Sequence, residues 1–309
     1  MKKIATAILL GLSLLAVPFS YFYVGPALNP FTGEVLQILL YIMGFSALYC
    51  FVVGELTLNN SQVDKLWSIL PIIYVWIVAY YGDFAPRLIL MALLVTFWGV
   101  RLTANFALKG AYQWRFWTGE EDYRWQVLRS KDEFKPRWKW MFFNLLFISL
   151  YQNFLILLFT LPSLIALQFV DASLGWLDVV AAVLVFGFIV FEMIADIQHW
   201  RFQSKKWSLI RSGQELPEPY KKGFLDKGLW SWSRHPNYFA EQAIWASFYI
   251  FSISAGAPVF NWTITGAILL IVLFQGSSAF GEEISVGKYP AYQEYQKQVS
   301  KFIPYFRKK

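Results

Sequence analysis

What decides how this chain can fold is the recurrence of apolar runs as long as a bilayer is thick. A helix crossing the hydrocarbon core needs about 20 consecutive, mostly apolar residues. Such runs occur near 4–24, 34–56, 66–81, 85–107, 141–169, 174–199, 237–256 and 259–280, the last two able to form a tight hairpin. Hydrocarbon offers no partner to a backbone N–H or C=O, so each run is expected to satisfy its own backbone as a helix. The fold class that follows is all-α, a polytopic integral membrane bundle of about 7–8 transmembrane helices. Composition points the same way: 57% of the 309 residues are hydrophobic and only 15% charged, against about 25% charged in a soluble domain. Disorder and a disulfide scaffold are excluded. Cys50 is the single cysteine, and His199 and His235 are the two histidines. They cannot supply a thiolate cluster or a polyhistidine iron site, so no metal is expected.

Charge placement predicts the orientation. Basic residues stay on the cytoplasmic side of short loops. With the N-terminus inside, Lys2, Lys3 and Lys65 fall inside, and so does the connection from Lys109 to Lys139. The next connection carries Arg201, Lys205, Lys206, Arg211, Lys221, Lys222, Lys227 and Arg234, and the tail carries Lys288, Lys297, Lys301, Arg307, Lys308 and Lys309. The opposite side retains only Arg87. An even number of crossings then leaves both termini cytoplasmic. A cleaved signal sequence over residues 1–24 is the alternative, but no clear A-x-A-like site follows the apolar run. The net charge of +7 is accounted for by sidedness and anionic headgroups, so the bilayer and not nucleic acid is the expected partner. The two long polar connections are too short and aromatic to be separate domains, which leaves one integral domain over 1–309.

Ionisable residues inside spans are costly and are functional candidates by default. Here they are Glu55, Asp64, Arg101, Glu192, Asp196, Glu241, Glu282 and Glu283. Glu192, Asp196 and His199 fall at i, i+4 and i+7, one face of a helix. That face suits a polar ligand, a solvated helix end or, without a second carboxylate-histidine helix, a poor metal site. The segment Gly228-Leu-Trp-Ser-Trp-Ser-Arg-His-Pro-Asn-Tyr238 reads as a helix start, with Ser233 or His235 as cap and Pro236 in the first turn. Such a start offers N–H groups and positive dipole to an anion, and Arg234 and His235 add cationic donors. Asn237 and Glu241 are four apart and share a face. The plainer reading is an interfacial turn with tryptophans at headgroup depth.

The run from Gly228 to Glu241, GLWSWSRHPNYFAE, resembles the signature of the steroid 5α-reductase-like membrane enzymes, whose relatives include the sterol C14 and C24 reductases and the isoprenylcysteine carboxyl methyltransferases. The likeness extends over NNSQVDKLW at 59–67, WGVRLTANF at 98–106, FEMIADIQHWRF at 191–202 and YPAYQEYQKQVSKFIPYF at 289–306, and it is nearest to a bacterial branch. It implies N-terminal spans over 1–110 that shape a substrate cavity and a C-terminal half over 141–309 with a cofactor pocket at its cytoplasmic face. By position, Asp196 resembles the aspartate on the adenosine side of NADPH, Asn237 the asparagine near the nicotinamide, and Glu241 the acid supporting it. Arg201, Lys221, Lys222, Arg234, His235 and Tyr238 are similar in kind to the groups around the phosphates. Glu282, Glu283, Tyr289 and Tyr292 resemble the tail segment that closes over the cofactor.

The resemblance thus implies an NADPH-dependent reductase of a C=C bond conjugated to a carbonyl in a hydrophobic substrate of steroid, sterol or isoprenoid kind. Such chemistry needs a donor fixed at the carbonyl oxygen, and the stand-ins are Glu55 or Asp64 with Tyr80 or Tyr81. The segment around Arg101 resembles the arginine-threonine motif of the steroid enzymes, but no tyrosine stands in the expected place upstream of it. Asp64 has a structural alternative, pairing with Lys65 or Arg101. The competing enzyme is an S-adenosylmethionine-dependent methyltransferase, whose relatives share the arginine-histidine-proline-x-tyrosine turn but usually lack the amide and acid present here at Asn237 and Glu241. A lipid-binding scaffold is the non-enzyme alternative. The branch and the charge pattern imply a bacterial inner membrane; oligomeric state is not encoded legibly.

Overall fold

Prolines and capping side chains set where the apolar runs become helices in the computed structural model, which describes residues 17–305. Most of the 4–24 run, and with it Lys2, Lys3 and the closing Arg307, Lys308 and Lys309, lies outside the described residues; 17–23 is helical. Helix α1 (Pro30–Thr57) starts on Asn29, whose side chain accepts from the Thr32 N–H, with Pro30 in its first turn. Both features favour a helix start, because the cap satisfies an orphan donor and proline has none to lose. Helices α2 (Gln62–Trp67) and α3 (Leu70–Tyr81) divide the next run, with Pro71 opening α3. Helix α4 (Pro86–Leu108) again begins on proline. A short α5 (Tyr123–Arg129) lies in the polar connection.

The 141–169 run is more broken than its composition suggests. It contains α6 (Arg137–Phe143), a π-helical stretch over Asn144–Tyr151, α7 (Gln152–Thr160) and, after Leu161, α8 (Pro162–Gln168). Pro162 cannot continue the ladder of the preceding helix. Helix α9 (Trp176–Arg211) has 36 residues, about 54 Å at 1.5 Å per residue. That exceeds a hydrocarbon core of about 30 Å, and the surplus is its polar end from His199 onward. Helices α10 (Pro236–Ser254), α11 (Ile264–Lys288) and α12 (Tyr292–Gln298) complete the order.

The protein is therefore a polytopic helical membrane protein. Among the described residues six helical stretches are long and apolar enough to cross a bilayer: α1, α2 with α3, α4, Arg137–Thr160, α9 and α11. The 237–256 run forms a helix but is not one of the six, because Asn237, Glu241 and Gln242 occupy its first two turns. The chain divides into two compact units, one of residues up to Val183 with Trp245–Leu270, the other of Leu184–Ile244 with Ile271–Lys309. The cuts fall along helices α9, α10 and α11, not in the connection between 110 and 141.

Within the first unit, aromatic and close-packed contacts form the core. Trp98 meets Trp245 edge-on at 5.0 Å, and Trp245 lies 4.1 Å from the Phe159 ring. Gly99 lets α4 approach α3: a Cβ there would sit 2.5 Å from the Ser68 carbonyl oxygen. Arg87, which the charge pattern leaves as a lone basic residue on the far side, is 4% exposed. Its guanidinium donates to Asp178 Oδ1 at 2.8 Å and Oδ2 at 3.0 Å, and to the carbonyls of Ala172, Ser173 and Ser254. Asp178 also accepts from the Gly175 N–H at 2.8 Å, capping the start of α9. A buried charge that loses its partner costs about 3–5 kcal/mol. Arg87→Met and Asp178→Leu should each lower the melting temperature in detergent, and the double variant should be less damaged than either single one. Equal melting of wild type and single variants would show that the pair is not structural.

Candidate functional site

The second unit gathers most of the candidate cofactor residues around the polar face of α9. Glu192 and Asp196 are 4% and 8% exposed, one turn apart on that face. Asn237, in the first turn of α10, donates its amide N–H to Asp196 Oδ1 at 3.2 Å, while its Oδ1 accepts from the Tyr238 N–H at 3.0 Å. The acceptor at one end and the donor at the other fix which way the amide points. Glu241, one turn further, is 4% exposed. Asn237 thus ties α10 to Asp196 on α9, with Glu192 and Glu241 buried one turn away along their own helices. His199 stacks on Trp230 of the aromatic loop with centroids 5.0 Å apart. Among the described residues no group of three or more His, Cys, Asp or Glu side chains is placed to hold a metal ion.

The loop before α10 is seated on α9 by its own residues. Gly228 has φ +64 and would place a Cβ 2.6 Å from Gln198 Oε1, so glycine is required by both backbone and space. That Oε1 accepts from the Leu229 N–H at 3.0 Å, and Trp230 Nε1 donates to the Ala195 carbonyl at 3.1 Å.

The structure gives Arg234 partners that the sequence does not announce. Its Nε donates to Glu282 Oε1 at 2.6 Å and its Nη2 to Oε2 at 3.3 Å, while Nη1 donates to the carbonyls of Gln296 at 2.9 Å and Val299 at 2.5 Å. Four of its donors are committed to the chain itself. The backbone N–H groups of Arg234 and His235 donate to the carbonyls of Ser300 and Lys301. The tail, not a free anion, answers this helix start. Glu282 further accepts from Gln296 at 2.8 Å and lies 3.0 Å from His235 Nε2. Burial above all, opposed by Glu282, holds the His235 imidazole below its ordinary pKa, so it is neutral at neutral pH.

The remaining candidates scatter around this knot. Tyr292 is buried and packs with Phe224 and Tyr295, and Tyr289 lies against Gly223, where a Cβ would meet its ring at 2.1 Å. Tyr238 packs on Phe274 and stacks with His235. Lys221 and Lys222 are exposed and face Glu215 and Asp226, and Arg201 and Glu283 are exposed.

The candidate acids of the first unit lie in their own networks. Glu55 Oε1 accepts from Asn144 at 2.8 Å, and Asp64 Oδ2 from Trp125 Nε1 at 2.9 Å. Lys65 is fully buried and donates to the carbonyls of Phe116 and Thr118. Tyr80 and Tyr81 are not brought to Asp64. They end α3, at least 16 residues further along helices rising about 1.5 Å per residue, and Tyr80 is 65% exposed. The buried tyrosine of α3 is Tyr74, 0% exposed, which sequence reasoning passed over because a tyrosine within an apolar run carries no charge to mark it.

Comparison with known proteins finds a family and a relative. The sequence profile of a family described as a protein of unknown function, DUF1295, covers residues 50–299. An uncharacterized protein of the fission yeast Schizosaccharomyces pombe is 37% identical over 260 residues, 80% of this chain and 73% of its own length. No solved structure matches the chain.

The His235 environment has a measurable consequence. Its folded pKa lies below the ordinary 6.5, so the unfolded chain takes up the proton first and stability falls as pH drops through that value. Melting temperature should decrease between about pH 7.5 and pH 5.5, and His235→Gln should flatten that decrease. An unchanged pH profile in the variant would remove His235 from the titration.

Proposed function

Because the chain belongs to the DUF1295 family, which is steroid 5α-reductase-like, we propose that it is a membrane oxidoreductase that reduces a C=C bond conjugated to a carbonyl in an apolar substrate, with NADPH as reductant. The observation that supports this reading is the buried polar face of Glu192, Asp196, Asn237 and Glu241 in the second unit. Carboxylate and amide oxygens accept hydrogen bonds. The hydroxyls of a ribose and the amino group of a carboxamide donate them, so the acceptor set of the site fits those groups. Anionic phosphates do not fit beside three carboxylates, and Arg234 is engaged with Glu282, so the phosphates fall to exposed cations such as Arg201, Lys221 and Lys222.

When bound, the nicotinamide supplies a hydride to the β-carbon of the unsaturated substrate. The protein's own part is orientation and charge. Asn237, its amide fixed between Asp196 and the Tyr238 N–H, holds a partner in one orientation, and Glu241 supports it from one turn below. Charge builds on the carbonyl oxygen as hydride arrives, and a hydrogen-bond donor fixed there lowers the barrier. By resemblance, Asp64 and Glu55 are the candidates to position that donor. A proton at the α-carbon completes the reduction. The charge pattern supports cytoplasmic termini in a bacterial inner membrane, and the fungal relative shows that the family also occurs outside bacteria.

Titration of purified protein with NADPH should quench Trp230 emission saturably. Asn237→Ala should raise the Kd about tenfold, the loss of roughly 1.4 kcal/mol, with the helical content by circular dichroism unchanged. Saturable quenching by S-adenosylmethionine in place of NADPH would make the chain a methyltransferase, and quenching by neither would overturn the enzymatic reading.

A further inference from the structure

The tail of the second unit does not run off into water but doubles back along a spanning helix. Residues 300–305 lie beside the loop that precedes α10: Ser233 and Ser300 pair as a parallel bridge, Ser233 Oγ donates to the Lys301 carbonyl at 3.2 Å, and the Tyr305 N–H donates to the Trp232 carbonyl at 3.0 Å. These bonds set Tyr305 next to Trp232. Lys301 Nζ donates to the Gln275 carbonyl at 3.3 Å and to its Oε1 at 3.2 Å. Gln275 belongs to α11, which is long and apolar enough to cross a bilayer, and it lies about 20 Å back from the Lys288 end at 1.5 Å per residue. One turn away, on the same face of α11, Ile271 is 38% exposed.

The side chains brought to this depth are those of a membrane boundary. Ile303, Tyr305 and Trp232 are 69%, 67% and 48% exposed. Tryptophan and tyrosine carry an apolar body and a polar edge, which suits the headgroup level. A lysine there lays its stem on apolar surface and keeps its ammonium among the headgroups. Charge decides which lipid: Lys301 stands within the segment, Arg307, Lys308 and Lys309 follow in the sequence, and a basic stretch beside a span is drawn to anionic headgroups. We propose that Trp232, Lys301, Ile303 and Tyr305 form a seat for an anionic lipid surface, with the apolar groups at the acyl boundary and the lysine among the headgroup phosphates. A second copy of the chain would bring the same positive charge and is not the occupant. The segment also supplies the carbonyls that accept from the Arg234 and His235 N–H groups, so the seat lies on the element that fixes the start of α10. The inference stands on the path of the tail and does not depend on NADPH chemistry.

The test places the full chain in phosphatidylcholine nanodiscs doped with a trace of phosphatidylglycerol carrying a diazirine near its glycerol, in parallel with phosphatidylcholine carrying the same diazirine. After illumination the labelled peptides are mapped by mass spectrometry, with α1 as the internal reference. The peptide holding Phe302–Tyr305 should take up the anionic probe about fivefold more than the neutral one, the effect of one cation near the surface. Lys301→Gln should bring the two probes close to parity. Ile303→Ala with Tyr305→Ala, which leaves Lys301 and the tail carbonyls in place, should lower labelling of that peptide by both probes. A tail left unlabelled while α1 is labelled, equal labelling by the two probes, or a preference indifferent to Lys301→Gln would overturn the proposal.

Discussion

The contact on which the second unit depends is the pairing of Arg234 with Glu282. It joins Arg234, two residues before the α10 start, to the charge-rich end of α11, and the same guanidinium draws in the tail through the carbonyls of Gln296 and Val299. Both partners are mostly buried, with side chains 11% and 8% exposed. Truncating one member of such a pair strands the other charge, a cost of about 3–5 kcal/mol. With the tail fixed, the backbone N–H groups of Arg234 and His235 are satisfied by Ser300 and Lys301, and α10 begins in one position. Asn237 then reaches Asp196, and the polar face on α9 acquires its amide.

This arrangement changes what the arginine-flanked turn does. A helix start with free N–H groups is an anion site, but here the N–H groups of Arg234 and His235 and the Arg234 guanidinium are given to the chain. The turn positions the side chains that follow it. In the function proposed, the ligand chemistry passes to Glu192, Asp196, Asn237 and Glu241, whose oxygens accept from hydrogen-bond donors. In the first unit, Arg87 works on the same principle: one buried guanidinium gathers Asp178 and three carbonyls from separate segments.

How much of this was legible in the sequence depends on the range of the interaction. Helices α1, α4, α9 and α11 follow from apolar length, and the starts at Pro30 and Pro86 from local rules. The face shared by Glu192 and Asp196 follows from helical spacing. The meeting of Asn237 with Asp196 was reached through resemblance to a family, because 41 residues separate them and no local pattern links them. The Arg234–Glu282 pair spans 48 residues, and the residue types alone fit phosphate binding equally well. Trp125 as partner of Asp64, and Arg87 as a buried knot, are hidden for the same reason. Tyr80 and Tyr81 were attractive by type, but helical rise carries them away from Asp64, whereas Tyr74 is buried within the bundle and carries no signal beyond its ring.

In the function proposed, the α9 and α10 polar face holds the uncharged donor groups of a nicotinamide dinucleotide. Cryo-electron microscopy of the protein in a lipid nanodisc with saturating NADPH tests it most directly. Density for the carboxamide or a ribose is expected within hydrogen-bond distance of Asn237 and Asp196. A dinucleotide bound elsewhere, with that face closed on itself, would contradict it.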